Sequence, residues 1–187
     1  MGSKKWTKAD IPDLTGKIII VTGGNSGLGF ESVKAFAEKG AEVILACRSL
    51  EKGEIARRKI GMVKGKIIVM QLDLQDFVSI KCFVNNFIEN YDCLDVLLNN
   101  AGIIYTPYFL TKDGLEWQMG INHFGHFKLT GLLLNILNIT PKSRVVNVSS
   151  MSYKYGQMDF DNLMFGKGNY SPWKSYVRSK LANLLFS

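Results

Sequence analysis

Short apolar segments alternate with helical segments along the whole chain, and this alternation constrains the fold more than any other feature of the sequence. The apolar segments are rich in β-branched residues, as in strands that are buried on both faces. These predicted strands cover 17–21, 41–47, 66–72, 94–102 and 143–150. The predicted helices cover 30–40, 50–61, 77–91 and 113–137, and a last helix begins near Trp173. This order predicts an α/β fold, in which helices cover both faces of a doubly wound parallel sheet.

The length favours a single domain. The 187 residues, 47% of them hydrophobic, suffice for one core, and no repeat or low-complexity linker divides them. We therefore expect one domain over 1–187, in which residues 1–15 form a polar N-terminal extension.

A glycine-rich turn, TGGNSGLG at 22–29, lies between the first predicted strand and the first predicted helix. Glycine permits positive φ and lets backbone N–H groups approach an anion closely, and the following helix N-terminus adds partial positive charge. The turn therefore predicts a site for the pyrophosphate of a dinucleotide, and the alternative is a tight turn that binds nothing. The candidate residues are Gly23, Asn25, Ser26, Gly27, Leu28 and Gly29.

The end of the second predicted strand bears on the choice of dinucleotide. NAD-binding sites generally have an acidic residue there for the ribose hydroxyls, but this chain has Cys47 and Arg48. Arg48 can hold a 2′-phosphate by two charge-assisted hydrogen bonds, which favours NADP(H) over NAD(H), and the alternative is a solvated arginine. Asp73, after the third strand, either accepts a hydrogen bond from the adenine amino group or caps the next helix.

Tyr176 and Lys180 are four positions apart on the last predicted helix and therefore share one of its faces. A nearby ammonium group favours the phenolate form of a tyrosine, so the pair can serve as a general acid and base. Tyr170 and Lys174 have the same spacing, but Pro172 between them disfavours a continuous helix. The alternative for Tyr176 is an amphipathic residue at the start of a helix.

Two serines, Ser149 and Ser150, end the last predicted strand. Open α/β sheets bind their ligands at this carboxyl edge. A serine hydroxyl there can hold a carbonyl or alkoxide oxygen, so these residues are candidates for substrate binding.

Five motifs resemble those of the short-chain dehydrogenase/reductase family, and they occur in the order of the family. They are TGGNSGLG, NNAG (99–102), INHFGHF (121–127), VVNVSS (145–150) and YVRSK (176–180). Four further stretches are similar to its retinol-dehydrogenase-like and bacterial oxidoreductase members: WTKADIPDLTGK, ACRSLEKGE, YSPWKSY and SKLANLLF. The resemblance covers nearly the whole chain and implies a Rossmann-type, NAD(P)-binding sheet.

The resemblance also implies a role for each matching residue. Tyr176 would exchange a proton with the substrate oxygen, and Lys180 would bond the nicotinamide ribose and favour the phenolate. Ser150, with Ser149 as the alternative, would hold the substrate oxygen, and Asn122 would order a water in a proton relay to Lys180. The catalytic candidates are thus Asn122, Ser150, Tyr176 and Lys180. Besides the glycine turn and Arg48, the cofactor candidates are Asp73, Leu74, Asn100, Ala101, Gly102, Tyr176 and Lys180.

The implied reaction is hydride transfer between a nicotinamide and a carbonyl or alcohol carbon. ACR at 46–48 is similar to the NADP(H)-preferring members. Tyr105, Tyr108 and Phe109 indicate an apolar substrate, unless they simply pack the subunit. The helices that carry Asn122 and Tyr176 commonly pair across subunits in the family, so the resemblance implies a homodimer or homotetramer.

The family continues beyond the helix at which these 187 residues end. A strand, a loop that begins with Pro-Gly, a substrate-covering segment and a last strand normally follow. We therefore expect an incomplete sheet with an exposed edge. The alternative to an active oxidoreductase is a truncated or non-catalytic dinucleotide-binding module without efficient turnover.

Composition and charge argue against other classes of protein. No apolar run approaches the ~20 residues that cross a bilayer, and the polar N-terminus has no signal sequence, so we expect a cytoplasmic protein without a membrane anchor. The net charge of +7 is spread along the chain, which does not favour nucleic acid as a partner. Cys47, Cys82 and Cys93 lack metal-binding spacing and are expected as free thiols. His123 and His126 have no acidic or cysteine neighbour in their motif, so packing, or support of neighbouring site residues, is favoured over a metal site.

Overall fold

Five parallel strands form a single sheet in the computed structural model, which describes residues 6–166 and 168–187. The first five residues of the predicted N-terminal extension lie outside the described part. The strands are β1 (Ile18–Thr22), β2 (Glu42–Cys47), β3 (Lys66–Gln71), β4 (Val96–Asn99) and β5 (Arg144–Asn147), in the order β3-β2-β1-β4-β5. The chain therefore winds outward in one direction from β1 to β3 and in the other from β4 to β5, which confirms the predicted doubly wound fold.

Helices follow the strands and cover both faces of the sheet. They are α1 (Gly27–Glu38), α2 (Leu50–Ile60), α3 (Phe77–Asn90), α4 (Trp117–Met119), α5 (Gly125–Ile139) and α6 (Pro172–Leu185). Short 3₁₀ turns occur at Lys8–Asp10, Met151–Tyr155 and Phe160–Asn162. The sequence-predicted strands and helices are thus present, with ends that differ by a few residues, except for the helix predicted over 113–137.

Alternate side chains of each strand enter two separate cores, because neighbouring residues of a strand point to opposite faces. One core contains Ile20 and Ile44 from the sheet with Phe87 from α3 and Leu129 from α5. The other core packs α1 and α2 against the opposite face; its buried members include Ile19, Val21, Val33, Ala37, Val43, Leu45 and Ala56. Burial on both faces explains why the strands are nearly all apolar rather than alternating.

The prediction of one long helix over 113–137 is wrong in two respects: the helix begins later than predicted, and it is interrupted. An antiparallel bridge pairs Leu110 with Glu116, so the chain is extended before α4 and helix begins only at Trp117. A π-helical turn, Gly120–Phe124, then separates α4 from α5. Such turns insert a wider ring into a helix and are frequent at functional sites.

Within the described residues, β5 pairs only with β4 and so forms one edge of the sheet. Val145 and Val146 of this strand are 38% and 43% exposed. The exposed edge expected from the sequence is therefore present in the described part of the chain.

Candidate active site

A cleft of about 540 Å³ lies at the carboxyl ends of the strands, where the winding direction changes between β1 and β4. Open α/β sheets bind their ligands at this position. Of the residues that the sequence predicts for the cofactor, all line the cleft except Gly29, Tyr176 and Lys180. Its lining comprises Thr22, Gly23, Asn25, Ser26, Gly27, Leu28, Ala46, Cys47, Arg48, Ser49, Lys52, Leu72, Asp73, Leu74, Asn100, Ala101, Gly102, Ile103 and Ile121.

The turn needs glycine for different reasons at different positions: positive φ at Gly23 and Gly27, and close approach of backbone at Gly29. Gly23 and Gly27 have φ of +66° and +54°, which side-chain-bearing residues rarely adopt. A Cβ on Gly27 would have nothing within 4 Å, so its backbone faces open space in the cleft. Gly29 is buried and does not line the cleft. A Cβ on Gly29 would lie 2.4 Å from the carbonyl oxygen of Gly23, so Gly29 lets α1 approach the turn.

The hydroxyl of Thr22 joins the glycine turn to the NNAG segment. Thr22 Oγ1 accepts hydrogen bonds from the backbone N–H groups of Asn100 and Ala101, at 2.9 and 3.0 Å. The Asn100 side chain donates in return to the carbonyl oxygen of Thr22, at 2.9 Å. Both segments of the cleft lining are therefore held together at the end of β1.

Arg48 lies at the other rim of the cleft, and Lys52 lies beside it. Ser49 caps α2 by accepting a hydrogen bond from the backbone N–H of Lys52, at 3.3 Å. This cap begins the helix directly after Arg48 and places Lys52 in its first turn. The sequence analysis missed Lys52, although its position one helical turn after Arg48 is a signal that could have identified it.

Asp73 lines the cleft, and the structure removes one of its two predicted roles. Asp76, not Asp73, caps α3, since its carboxylate accepts from the N–H groups of Val78 and Ser79 at 2.9 and 3.2 Å. The Asp73 carboxylate instead accepts from the backbone and side chain of Gln75, at 3.2 and 3.0 Å. Asp73 therefore stays available at the cleft as a hydrogen-bond acceptor.

Asn122 sits in the π-helical turn and is buried beneath the far end of the cleft. Its amide clamps the backbone of Ile103, accepting from the N–H at 2.8 Å and donating to the carbonyl oxygen at 2.9 Å. The same amide nitrogen donates to Ser179 Oγ at 2.9 Å, and Ser179 Oγ donates to the carbonyl oxygen of Tyr176 at 2.7 Å. Asn122 thus connects the cleft to the helix that carries Tyr176.

Lys180 reaches the same end of the cleft from α6. Its ammonium group donates to the carbonyl oxygen of Val148 at 3.2 Å and lies 5.7 Å from the centre of the Tyr176 ring. Burial lowers the pKa of Lys180 below its ordinary value of 10.5. A methyl group placed on Gly102 would lie 3.5 Å from Lys180 Nζ and 3.3 Å from Asn122 Oδ1, so both side chains lie close to Gly102 in the lining of the cleft.

The two candidate serines have different partners. Ser149 Oγ donates to the carbonyl oxygen of Lys180 at 2.7 Å, so its proton is engaged with the backbone of α6. Ser150 Oγ accepts from the backbone and the hydroxyl of Ser152, at 3.3 and 2.9 Å. The hydroxyl proton of Ser150 therefore remains free to bond an external oxygen, which favours Ser150 over Ser149.

An aromatic cluster centred on Trp173 lies next to Tyr176. Trp173 lies 6.2 Å from Tyr176, 6.0 Å from Tyr105 and 6.3 Å from Tyr155, between ring centres. Sequence reasoning named Tyr105 but missed Trp173 and Tyr155. Of the other predicted rim residues, Tyr108 packs on Tyr170 and Phe109 packs on Trp117, so packing within the subunit accounts for part of that aromatic loop.

Two buried residues outside the predicted site join its elements. The Glu116 carboxylate, fully buried, accepts from Ser175 Oγ at 2.6 Å, directly before Tyr176 in the chain. His126 bonds Thr22 Oγ1 and the Asn122 carbonyl oxygen with its two ring nitrogens. His126 is part of the INHFGHF motif and Glu116 lies five residues before it, but the sequence does not indicate their distant partners, Thr22 and Ser175.

Comparison with known proteins decides the family. A family model described as short chain dehydrogenase matches residues 17–162, which is most of the chain. The chain belongs to the short-chain dehydrogenase family. The resemblance stated from the five motifs is thereby confirmed.

Similar members of the family include retinol dehydrogenases. Human retinol dehydrogenase 11 is 46% identical over 176 residues, which are 93% of this chain and 55% of that protein. Human retinol dehydrogenase 13 is 41% identical over 183 residues, which are 97% of this chain and 54% of that protein. The chain therefore spans slightly more than half the length of these relatives.

Solved structures of short-chain dehydrogenases share the fold. An uncharacterized protein from Mycobacterium paratuberculosis superposes with a TM-score of 0.86 at 45% identity, over 98% of this chain and 64% of that one. A short chain dehydrogenase from Escherichia coli CFT073, solved with NADPH, has a TM-score of 0.70 at 25% identity, over 93% of this chain and 70% of that one.

The described residues also bear on metal binding and membrane insertion. Within residues 6–166 and 168–187, no group of three or more His, Cys, Asp or Glu side chains is placed to hold a metal ion. No helix in this described part has both the length and the apolar character that a membrane span requires.

Proposed function

We propose that this chain binds NADP(H) and carries the reaction centre of an oxidoreductase that interconverts a carbonyl and an alcohol. The observation that supports this most directly is that Gly102, which lines the cleft, lies close to both Asn122 and Lys180. Arg48 and the glycine turn line the same cleft. A dinucleotide in the cleft would therefore extend from a cationic rim to the groups that handle protons.

The lining fits a dinucleotide in its chemistry. The turn that contains Gly27 presents backbone to open space at the start of α1, as an anionic pyrophosphate requires. Arg48 and Lys52 offer positive charge at one end, and Asp73 offers an acceptor for an adenine amino group. When bound, the nicotinamide supplies or accepts the hydride.

The side chains of this chain would handle the proton and the substrate oxygen. In reduction, the substrate carbon gains the hydride and its oxygen gains a proton from Tyr176, so a carbonyl becomes an alcohol; oxidation reverses both transfers. Ser150 would hold the substrate oxygen by a hydrogen bond. Because burial lowers the pKa of Lys180, its ammonium releases a proton more readily along the relay that Asn122 would complete.

NADP(H) is favoured over NAD(H) in this proposal. Arg48 and Lys52 supply two cations at the rim of the cleft, and a 2′-phosphate binds such a pair by charge-assisted hydrogen bonds. The E. coli relative that was solved with NADPH is in agreement.

The substrate is proposed to be an apolar aldehyde, ketone or alcohol. The ring of Trp173 lies next to Tyr176 and contacts the rings of Tyr105 and Tyr155. This aromatic cluster would contact an apolar chain or ring next to the reacting carbon. Several relatives carry the name retinol dehydrogenase, so retinol and retinal are the first substrates to test.

A homodimer or homotetramer is proposed through α5 and α6. Phe127 and Phe186 form one aromatic cluster with ring centres 5.2 Å apart, and Leu134, Leu184 and Leu185 are further exposed apolar residues on these two helices. Apolar surface shared by two helices suits pairing with a second copy.

Sedimentation of the wild type should give a dimer or a larger oligomer. Phe127→Glu should give a monomer, whereas Phe160→Glu, which removes an exposed ring elsewhere, should leave the oligomeric state unchanged. A wild-type monomer would contradict this part.

The cytoplasm is the proposed location. All three cysteines, Cys47, Cys82 and Cys93, lie in the described part of the chain and are free thiols. Free thiols are typical of a reducing compartment.

The first test is cofactor binding, measured by nicotinamide fluorescence. We expect NADPH to bind more tightly than NADH, and Arg48→Ala or Lys52→Ala to weaken NADPH about 10-fold or more. Arg58→Ala removes an equal charge from α2 outside the cleft and should leave binding unchanged. Equal losses in all three variants would indicate a general charge effect and contradict a phosphate clamp.

The second test is turnover, followed as NADPH oxidation with all-trans-retinal and with a short aliphatic aldehyde. Tyr176→Phe should keep NADPH affinity and lose about 10²-fold or more in kcat, since it removes the proton donor. Binding of NADPH without any turnover by the wild type would favour the non-catalytic dinucleotide-binding module.

A further inference from the structure

His126 lies in α5 with 1% of its surface exposed, and both of its ring nitrogens make hydrogen bonds to other residues. Nε2 lies 2.8 Å from Thr22 Oγ1, and Nδ1 lies 3.0 Å from the carbonyl oxygen of Asn122. The side chain therefore spans from the end of β1 to the π-helical turn.

The hydrogen bonds of Thr22 determine which nitrogen carries the proton. Its hydroxyl oxygen already accepts from the N–H groups of Asn100 and Ala101, which occupies both lone pairs. The hydroxyl hydrogen must then be donated, and His126 Nε2 at 2.8 Å is nearer than the Leu98 carbonyl oxygen at 3.4 Å. Nε2 is thus an acceptor, and the Nδ1–H of a neutral imidazole donates to the carbonyl of Asn122.

The two partners of His126 belong to the two halves of the site. Thr22 holds the backbone of 100–101, which forms the floor of the cofactor cleft. Asn122 holds Ile103 and, through Ser179, the backbone of Tyr176. His126 is therefore a direct side-chain link between the cofactor floor and the helix turn that carries the relay amide.

We propose that His126 is a positioning residue for hydride and proton transfer. Its Nε2 fixes the Thr22 hydroxyl that organises the cofactor floor, and its Nδ1–H fixes the carbonyl of the Asn122 π turn. The ring thereby sets the distance between the bound nicotinamide region and the Asn122 amide. This inference rests on the proposed function for its catalytic half, whereas its cofactor half requires only binding.

Two amide variants test the two hydrogen bonds of His126 separately, because the side-chain amide of asparagine reaches the position of Nδ1 and that of glutamine reaches the position of Nε2. His126→Asn places an N–H donor near the position of Nδ1 and keeps the bond to the Asn122 carbonyl, but it loses the Thr22 contact. His126→Gln reaches the position of Nε2 with an oxygen acceptor and keeps the Thr22 contact, but it loses the Asn122 contact. His126→Phe keeps the ring and loses both contacts.

The expected results differ between the variants. His126→Asn should weaken NADPH about 10-fold and keep most of kcat at saturating cofactor, because the relay side is retained. His126→Gln should keep NADPH affinity and lose about 10-fold in kcat, a change worth ~1.4 kcal/mol in the barrier. His126→Phe should show both losses. A His126→Phe enzyme with wild-type affinity and kcat, or Asn and Gln variants with identical losses, would overturn the proposal.

A spectroscopic measurement on the wild type covers the case in which a variant does not fold. ¹⁵N NMR of the imidazole should show the proton of His126 on Nδ1 and an unprotonated Nε2. A proton on Nε2 would overturn the proposed bond from Thr22 and, with it, the link. If the wild type binds NADPH without turnover, the proposed function fails on its own, and the NADPH affinity of His126→Asn still tests the cofactor half.

Discussion

Gly29 and Gly131 are both helical glycines, but their surroundings are opposite. A Cβ on Gly29 in α1 would lie 2.4 Å from the Gly23 carbonyl oxygen and 2.6 Å from Asn100 Nδ2. A Cβ on Gly131 in α5 would have nothing within 4 Å. The same residue type is therefore required at one position for close approach and is merely a weak helix former at the other.

Alanine at these two glycines should change stability in opposite directions. Gly29→Ala should destabilise the fold by about 1–3 kcal/mol, because α1 must move away from the glycine turn. Gly131→Ala should stabilise it by about 0.5–1 kcal/mol, because alanine loses less backbone entropy in a helix. Urea unfolding would measure both, and shifts of the same sign would contradict the geometry.

The buried imidazole of His126 makes stability depend on pH. Burial, the largest cause, lowers the pKa of His126 from its ordinary 6.5 to about 4. Between these values the unfolded chain binds a proton that the folded chain does not. The contribution of His126 to the free energy of unfolding is therefore fully present above pH 6.5 and is lost as the pH drops toward 4. The slope is at most ~1.4 kcal/mol per pH unit. Burial also lowers the pKa of His123, which acts in the same direction.

The contribution of His126 can be isolated by comparison with His126→Gln, whose side chain does not titrate. Urea unfolding of both proteins across this pH range should give a shallower dependence for the variant, and His123 titrates in both proteins. The same pH dependence of the free energy of unfolding in both proteins would contradict a lowered pKa of His126.

At the scale of the elements, two acidic helix caps occupy different surroundings. Glu116 caps α4 through the N–H groups of Gln118 and Met119, at 3.1 and 2.9 Å. The same carboxylate accepts from Ser175 and thereby ties the start of α6 to α4. Asp76 caps α3 in a half-buried position and pairs with Lys112 at 2.6 Å.

Removal of these caps should have unequal effects. Glu116→Ala should cost roughly 3 kcal/mol or more, because it leaves buried donors of two elements without acceptors. Asp76→Ala should cost about 1 kcal/mol, as for an ordinary cap whose freed N–H groups reach water. Equal losses in thermal or urea unfolding would contradict a buried tie between α4 and α6.

The sequence could predict most elements but not the interruption of the helix over 113–137. Its apolar spacing continues through the region, and the π turn at Gly120–Phe124 leaves no distinct local pattern. Two contacts hold the break: the Leu110–Glu116 bridge before it and the Asn122 clamp on Ile103 within it. Such contacts exist only after the loop has folded back onto the helix, so local propensity cannot report them.

At the scale of the whole molecule, the cleft joins both halves of the sheet, since its lining comes from the ends of β1 and β2 and from the segments that follow β1, β2, β3 and β4. A ligand that binds only the folded chain stabilises all of these segments together. Cofactor binding should therefore be visible in global unfolding.

NADPH at about 100 times its dissociation constant should add ~2.7 kcal/mol to the free energy of unfolding. For a chain of 150–250 residues this corresponds to a rise in the unfolding temperature of roughly 5–10 °C. The rise should be smaller with NADH at the same concentration and with Arg48→Ala, and unchanged in Arg58→Ala. A temperature that does not respond to either cofactor would contradict a dinucleotide site in this chain.

The sequence by itself determined the doubly wound parallel sheet, because the order of buried strands and helices permits few other arrangements. It also identified the glycine turn, Arg48, Asn122, Ser150, Tyr176 and Lys180 as candidates, since their spacing and their place in the family motifs are local. Only the tertiary structure decided that Gly29 packs instead of lining the cleft and that Asp76 is the helix cap. It alone revealed the links of His126 to Thr22 and of Glu116 to Ser175. These links join residues that are 104 and 59 positions apart, and a buried polar group takes whichever distant partner the packed fold brings within reach.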